Sequence, residues 1–188
     1  MPIPALGLSV TTLEALVVDD DEEVRELLCE HLRARGLRVS AAGDGRAALT
    51  AIQRSSAGFG LVFTDLHLPG ADGMTVLQAA KTTNASAYVV IITGYATLDS
   101  AIQAVRLGAY DYLTKPFSLG QIDVLLRRVE DRVSLEAENR QLLRRIDAQE
   151  ASASRSGASD RLATIELRLA SIEAAMRDLT QELTRRRL

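Results

Sequence analysis

Five short apolar runs recur along the first part of the chain: EALVV at 14–18, LRVSA at 37–41, GLVFT at 60–64, AYVVII at 87–92 and AYDYL at 109–113. Segments such as ALVV and YVVII are apolar at every position instead of alternating, the pattern of strands covered on both faces. Residues 22–35, 45–54, 73–83, 97–107 and 118–133 instead repeat apolar positions at helical spacing. Gly36 and Gly108 follow the first and fourth of these patterns, where a left-handed closing residue is wanted. Strands alternating with helices of this length predict an α/β fold with a doubly wound, five-stranded parallel sheet. In such sheets the working side chains collect beyond the carboxyl ends of the strands.

The pattern changes near residue 133. Beyond it there is no proline, no aromatic residue and one glycine, Gly157, while Arg, Glu, Leu and Ala dominate. The last helix runs on without a stop signal, so residues 133–150 read as a linker helix. Leu135, Asn139, Leu142 and Ile146 are spaced four, three and four apart, a seam with asparagine at an a position. Small polar residues at 151–160 predict a flexible break. From 161 to 188, Leu162, Ile165, Leu169, Ile172, Met176, Leu179 and Leu183 sustain a heptad seam. Its flanking pairs, Arg161 with Glu166, Arg168 with Glu173 and Glu182 with Arg187, are opposite in charge, which favours a parallel coiled-coil homodimer. A hairpin or four-helix arrangement is the alternative that the break permits.

Composition narrows the function classes. A net charge of −3 over 188 residues gives no electrostatic reason to expect nucleic acid or an anionic membrane as partner. No apolar run approaches the roughly 18 residues of a membrane span, and the amino terminus does not read as a signal peptide. The lone Cys29 forms no internal disulfide. These features lead to the expectation of a cytoplasmic protein. No GxxxxGK[ST] loop is present, and the helices leave no room for a DNA-binding domain.

The predicted strand ends carry the chemistry. Asp19, Asp20 and Asp21 follow the first strand, Asp65 the third, Thr93 ends the fourth, and the fifth runs into Lys115 and Pro116. Clustered carboxylates repel unless a cation joins them, and an all-oxygen donor set suits Mg²⁺ better than zinc or copper. A metal, a carboxylate nucleophile, a hydroxyl and an ammonium make a phosphoryl-transfer layout. Lys115 is one of only two lysines, the other being Lys81, in a chain that otherwise writes positive charge as arginine. A compact charge on a flexible stem can pair first with a carboxylate and then with a phosphoryl oxygen, where a broad guanidinium fork fits poorly.

The segments VVDDDE, TDLHLPGADG and ITGYATLDSAIQAVRLGAYDYLTKPF resemble the receiver domain of bacterial two-component response regulators over residues 12–132. The resemblance is greatest to receivers of enhancer-binding activators. It implies a flavodoxin-like strand order 2-1-3-4-5 and Asp65 as acceptor of a phosphoryl group from a sensor histidine kinase or phosphotransfer protein. It further implies Mg²⁺ bound by Asp19, Asp20, Asp65 and the backbone carbonyl of His67, with Thr93 and Lys115 contacting the phosphoryl group. Tyr112 would be the aromatic switch residue that follows Thr93, the peptide before Pro116 would be cis, and His67 and Tyr95 would tune dephosphorylation. Asp21 reads as a helix cap, not a third ligand. The expected activity is that of a signalling phosphoacceptor, not an enzyme beyond its own phosphoryl transfer and autodephosphorylation, with protein association through the coiled coil as output. The alternatives are a receiver-like adaptor that is never phosphorylated, or a fragment of a transcriptional activator lacking its ATPase and DNA-binding domains.

Overall fold

The computed structural model describes residues 13–148 together with Leu167, Leu169 and Ala170, and the chain divides into two units between Ala137 and Glu138. In the first unit, β1 (Glu14–Val18), α1 (Glu22–Ala34), β2 (Arg38–Ala42), α2 (Gly45–Arg54), β3 (Leu61–Asp65), α3 (Gly73–Thr83), β4 (Tyr88–Thr93), α4 (Leu98–Arg106) and β5 (Asp111–Thr114) follow in order. A fifth helix, α5, begins at residue 119 and is helical through the described residues to 148. All strand pairings are parallel and the order is β2-β1-β3-β4-β5.

Successive residues of a strand point to opposite faces, so the central strands feed two cores. Ala15, Val17, Phe63, Val90 and Ile92 face α1 and α5, packing with Leu28, Leu32, Ile122, Leu125 and Val129. Leu16, Val18, Val62, Val89 and Ile91 face the other way, toward Ile52, Val76, Leu77 and Ala104 of α2, α3 and α4. Every residue of β3 and β4 is buried, which explains their unbroken apolar runs. The edge strands β2 and β5 are more exposed.

Strands β2, β3 and β4 each begin and end one residue later than their apolar runs predict. Apolarity marks burial, whereas the ladder extends to the polar terminal residues Asp65 and Thr93. The fifth strand begins at Asp111 because the Ala109 N–H is spent on Ala104 O (2.9 Å), closing the turn that Gly108 makes at φ +86°. Thr97 caps α4 and so falls outside it. Ser118 and Gln121 cap the start of α5 reciprocally (2.8 and 3.3 Å). The flexible break at 151–160 lies outside the described residues, as does the heptad seam at 161–188 apart from Leu167, Leu169 and Ala170.

α1 and α5 are also joined by charge. His31 Nε2 lies 2.6 Å from Asp123 Oδ1, and Arg35 is 2.5 Å from Oδ2. The hydrogen bond from His31, with Arg35 adding its charge, holds the Asp123 carboxyl below the usual carboxylate range. A lowered folded-state pKa contributes stability that is present above the unfolded value near 3.8 and is lost as pH falls through the lowered one. Asp123→Asn is therefore expected to unfold at lower urea than the wild type at pH 7. The gap should narrow as the pH falls below about 4, in urea titrations of both proteins at each pH.

Candidate functional site

Parallel register brings the acidic residues together. Val18 pairs with Thr64, so Asp19 and Asp65, each the next residue, emerge side by side at the carboxyl edge. Thr93 pairs with Thr114, and the Lys115 N–H donates to Thr93 O at 2.8 Å, which starts the lysine beside β4. The Lys115–Pro116 peptide is cis. From there Lys115 Nζ reaches across the sheet edge to 2.7 Å from Asp65 Oδ2 and 2.7 Å from Asp19 Oδ2.

Asp19 and Asp65 are buried while Asp20 is exposed, and one oxygen from each of the three lies within 4.8 Å of the others. Burial pushes the Asp19 carboxyl up, against the hydrogen bond and charge of Lys115 and the Asp21 N–H. Burial also works against the Lys115 ammonium, but its hydrogen bonds and charge contacts with Asp19 and Asp65 outweigh it, so Lys115 stands above an ordinary lysine. For Asp19, the ammonium it shares with Asp65 is too little to offset desolvation. Three carboxylates less one ammonium leave two negative charges, the complement of a divalent cation. The donors are oxygen only and Asp20 opens to solvent, so the residues fit a hard cation such as Mg²⁺.

Asp21 is not part of this set. Its Oδ1 accepts from Glu23 N (3.0 Å) and Val24 N (3.3 Å), capping α1. The His67 N–H donates to Asp65 Oδ1 at 3.1 Å, placing the backbone of residue 67 against the acceptor carboxylate. Thr93 is fully buried, and its hydroxyl oxygen accepts from Tyr95 N at 3.2 Å and lies 3.5 Å from His67 Nδ1. The His67 and Tyr95 rings meet edge to face at 5.7 Å, and Tyr95 reaches the Thr93 hydroxyl through its backbone N–H. The Tyr112 hydroxyl is 2.8 Å from Ser100 Oγ, within the capping box that Ser100 makes with Thr97 at the start of α4.

Further contributors lie in the backbone and on α1. A Cβ on Gly73 would stand 2.1 Å from Asp65 O, and one on Gly45 would stand 1.9 Å from Ala71 O, so both positions require bare backbone beneath the β3–α3 turn. Arg25, on the first turns of α1, donates from Nη1 to Asp19 O at 2.8 Å. It reads in the sequence as an ordinary polar helix position, although its spacing after the acidic pair returns it to the strand end.

A family model described as the response regulator receiver domain matches residues 15–127. The Pseudomonas aeruginosa transcriptional activator protein PfeR is 39% identical over 133 residues, 68% of this chain and 43% of that protein. The C4-dicarboxylate transport transcriptional regulatory protein DctD of Rhizobium meliloti is 30% identical over 132 residues, 70% of this chain and 28% of that protein. The chain thus spans less than half the length of either relative. A response regulator from Burkholderia pseudomallei, solved with a phosphorylated aspartic acid, a calcium ion and citrate, superposes with a TM-score of 0.55. It is 30% identical, covering 66% of this chain and 74% of that one.

Proposed function

The chain belongs to the response regulator receiver domain family, and we propose that it is a phosphorylation-controlled switch in which Asp65 accepts the phosphoryl group. The observation that carries this reading is Lys115 Nζ at 2.7 Å from both Asp65 and Asp19. It supports the reading because a point charge paired with the Asp65 carboxylate can also pair with the oxygens of a phosphoryl group bound there. The donor is a phosphohistidine of a sensor kinase or phosphotransfer protein. A carboxylate oxygen of Asp65 forms the new P–O bond as the donor's P–N bond breaks, and the electron pair leaves with the imidazole. Asp19, Asp20 and Asp65, with the His67 carbonyl, would hold Mg²⁺, which would neutralise charge on the transferring group. The phosphorylated aspartic acid and cation of the Burkholderia relative support this assignment.

After transfer, Lys115 pairs with a phosphoryl oxygen and Thr93 donates its hydroxyl to another, giving up the contacts it holds with Tyr95 N and His67. Tyr112 responds to Thr93 through α4, where Ser100 holds its hydroxyl. α4 buries only Ala104, so few apolar contacts resist its movement. His67 and Tyr95, whose rings meet edge to face beside Thr93's strand end, set how readily water reaches the acyl phosphate. The protein catalyses only its own phosphoryl transfer and the later hydrolysis of the acyl phosphate to free phosphate, and it works in the cytoplasm. Among the described residues no helix is long and apolar enough to cross a membrane.

The output is association of two copies through the helix that follows the receiver. Leu135, Leu142 and Ile146 are 58%, 54% and 49% exposed and keep heptad spacing, with exposed Asn139 between them. Such a seam leaves apolar area in water unless a second helix covers it. Leu169, from the second seam, is also helical and exposed.

With Mg²⁺ and acetyl phosphate, intact-mass spectra should show one added phosphoryl group, absent in Asp65→Asn. An unmodified wild type, under conditions that label a control receiver, would remove the assignment. In light scattering the wild type is expected at twice the chain mass, and a variant with both seams broken, Leu142→Asp and Ile146→Asp together with Ile172→Asp and Leu179→Asp, at the chain mass or with dissociation at least about 10-fold weaker. An unchanged dimer in that variant would place the contact elsewhere.

A further inference from the structure

Asp19 must do two things at once. It ends the β1 edge and, with Asp20, turns the chain so that two adjacent carboxylates meet Asp65. Its N–H donates to Ala42 O at 3.2 Å, its Oδ1 accepts from Asp21 N at 3.0 Å, and its Oδ2 meets Lys115 at 2.7 Å. The remaining polar atom, the backbone oxygen, accepts from Arg25 Nη1 at 2.8 Å. Resting on the proposed metal-dependent phosphoacceptor role, we propose that Arg25 is a positioning residue, holding the Asp19–Asp20 turn in the conformation that presents both carboxylates to Mg²⁺.

The surroundings of the guanidinium argue for position over charge. Its side chain is 19% exposed, and Nη2 lies 3.9 Å from Glu22, whose carboxylate balances it. Nη1 is 3.4 Å from where a Cβ of Gly43 would lie, so the planar fork packs at ordinary contact distance against the backbone after β2. Arg25 therefore sits between the turn after β1 and the turn after β2, the two segments already joined by Asp19 N–H and Ala42 O. A lysine at this position keeps the charge but has no rigid fork to meet Asp19 O and Glu22 together. Asp20 is exposed, so its orientation depends on the backbone that Arg25 holds. Groups that orient metal ligands from behind typically change affinity by about 10- to 100-fold when removed.

The test compares wild type, Arg25→Met and Arg25→Lys, with Glu22→Gln as control. Mg²⁺ affinity is read by calorimetry on the unphosphorylated protein, and the Mg²⁺ dependence of acetyl phosphate labelling is read in parallel. Arg25→Met should weaken Mg²⁺ binding by about 10-fold or more, with Arg25→Lys nearly as weak and Glu22→Gln within about twofold of wild type. The labelling rate at saturating Mg²⁺ should stay near wild type, a split that general loss of structure would not produce. Unchanged Mg²⁺ affinity in both Arg25 variants would overturn the proposal, as would full recovery in Arg25→Lys, which would make charge the cause. Should the wild type bind Mg²⁺ without being labelled, the phosphoacceptor reading fails while calorimetry still decides the role of Arg25.

Discussion

One ammonium shared by two buried carboxylates is the constraint on which the site depends. Lys115 reaches Asp19 and Asp65 at equal distance, and both acids are almost wholly removed from water. Buried charge of this kind is costly, and a single cation does not compensate two anions and the exposed Asp20 beside them. The raised Asp19 carboxyl is the sign of that imbalance. A site left short of positive charge favours whatever supplies it. A divalent cation, followed by a phosphoryl group that needs the same ammonium, is the sequence of events the arrangement accommodates.

The rest of the fold serves that placement. Parallel register sets Asp19 beside Asp65, and the β4–β5 pairing sets Lys115 beside Thr93. Two cores on opposite faces hold the strands rigid, with β3 and β4 buried along their whole length. Mobility is left to the periphery. α4 carries Leu98, Ile102 and Val105 in solvent, and its start is tied to the site through Ser100 and Tyr112. Rigid strands with one loosely packed helix suit a device that must hold a reactive carboxylate still while changing its surface.

Much of this was legible in the chain because the side chains that do chemistry sit at strand ends, and burial on both faces gives those strands continuous apolar runs. Asp65 follows GLVFT and Thr93 follows AYVVII, so the positions of the carboxylate and the hydroxyl come with the strands themselves. What stayed hidden depends on contacts between distant segments. Gly45 under Ala71 O is a close approach that no local pattern announces. His31 looks like an ordinary helix residue until α5 brings Asp123 to it from 92 positions away. Arg25 is invisible for the same reason, since its partner is a backbone oxygen.

The chain's two lysines allow the central claim to be measured directly. Lysine labelled at Cε and Nζ gives two side-chain NMR signals, assigned with Lys81→Arg. Burial lowers Lys81, whereas Asp19 and Asp65 raise Lys115, so the two should titrate on opposite sides of the ordinary value of 10.5. Addition of Mg²⁺ and beryllofluoride, a mimic of the phosphoryl group, should move the Lys115 signal and leave Lys81 in place. A Lys115 signal that titrates at or below Lys81 and does not respond to the mimic would contradict the account, because the ammonium would then be neither shared by the two carboxylates nor passed to the phosphoryl group.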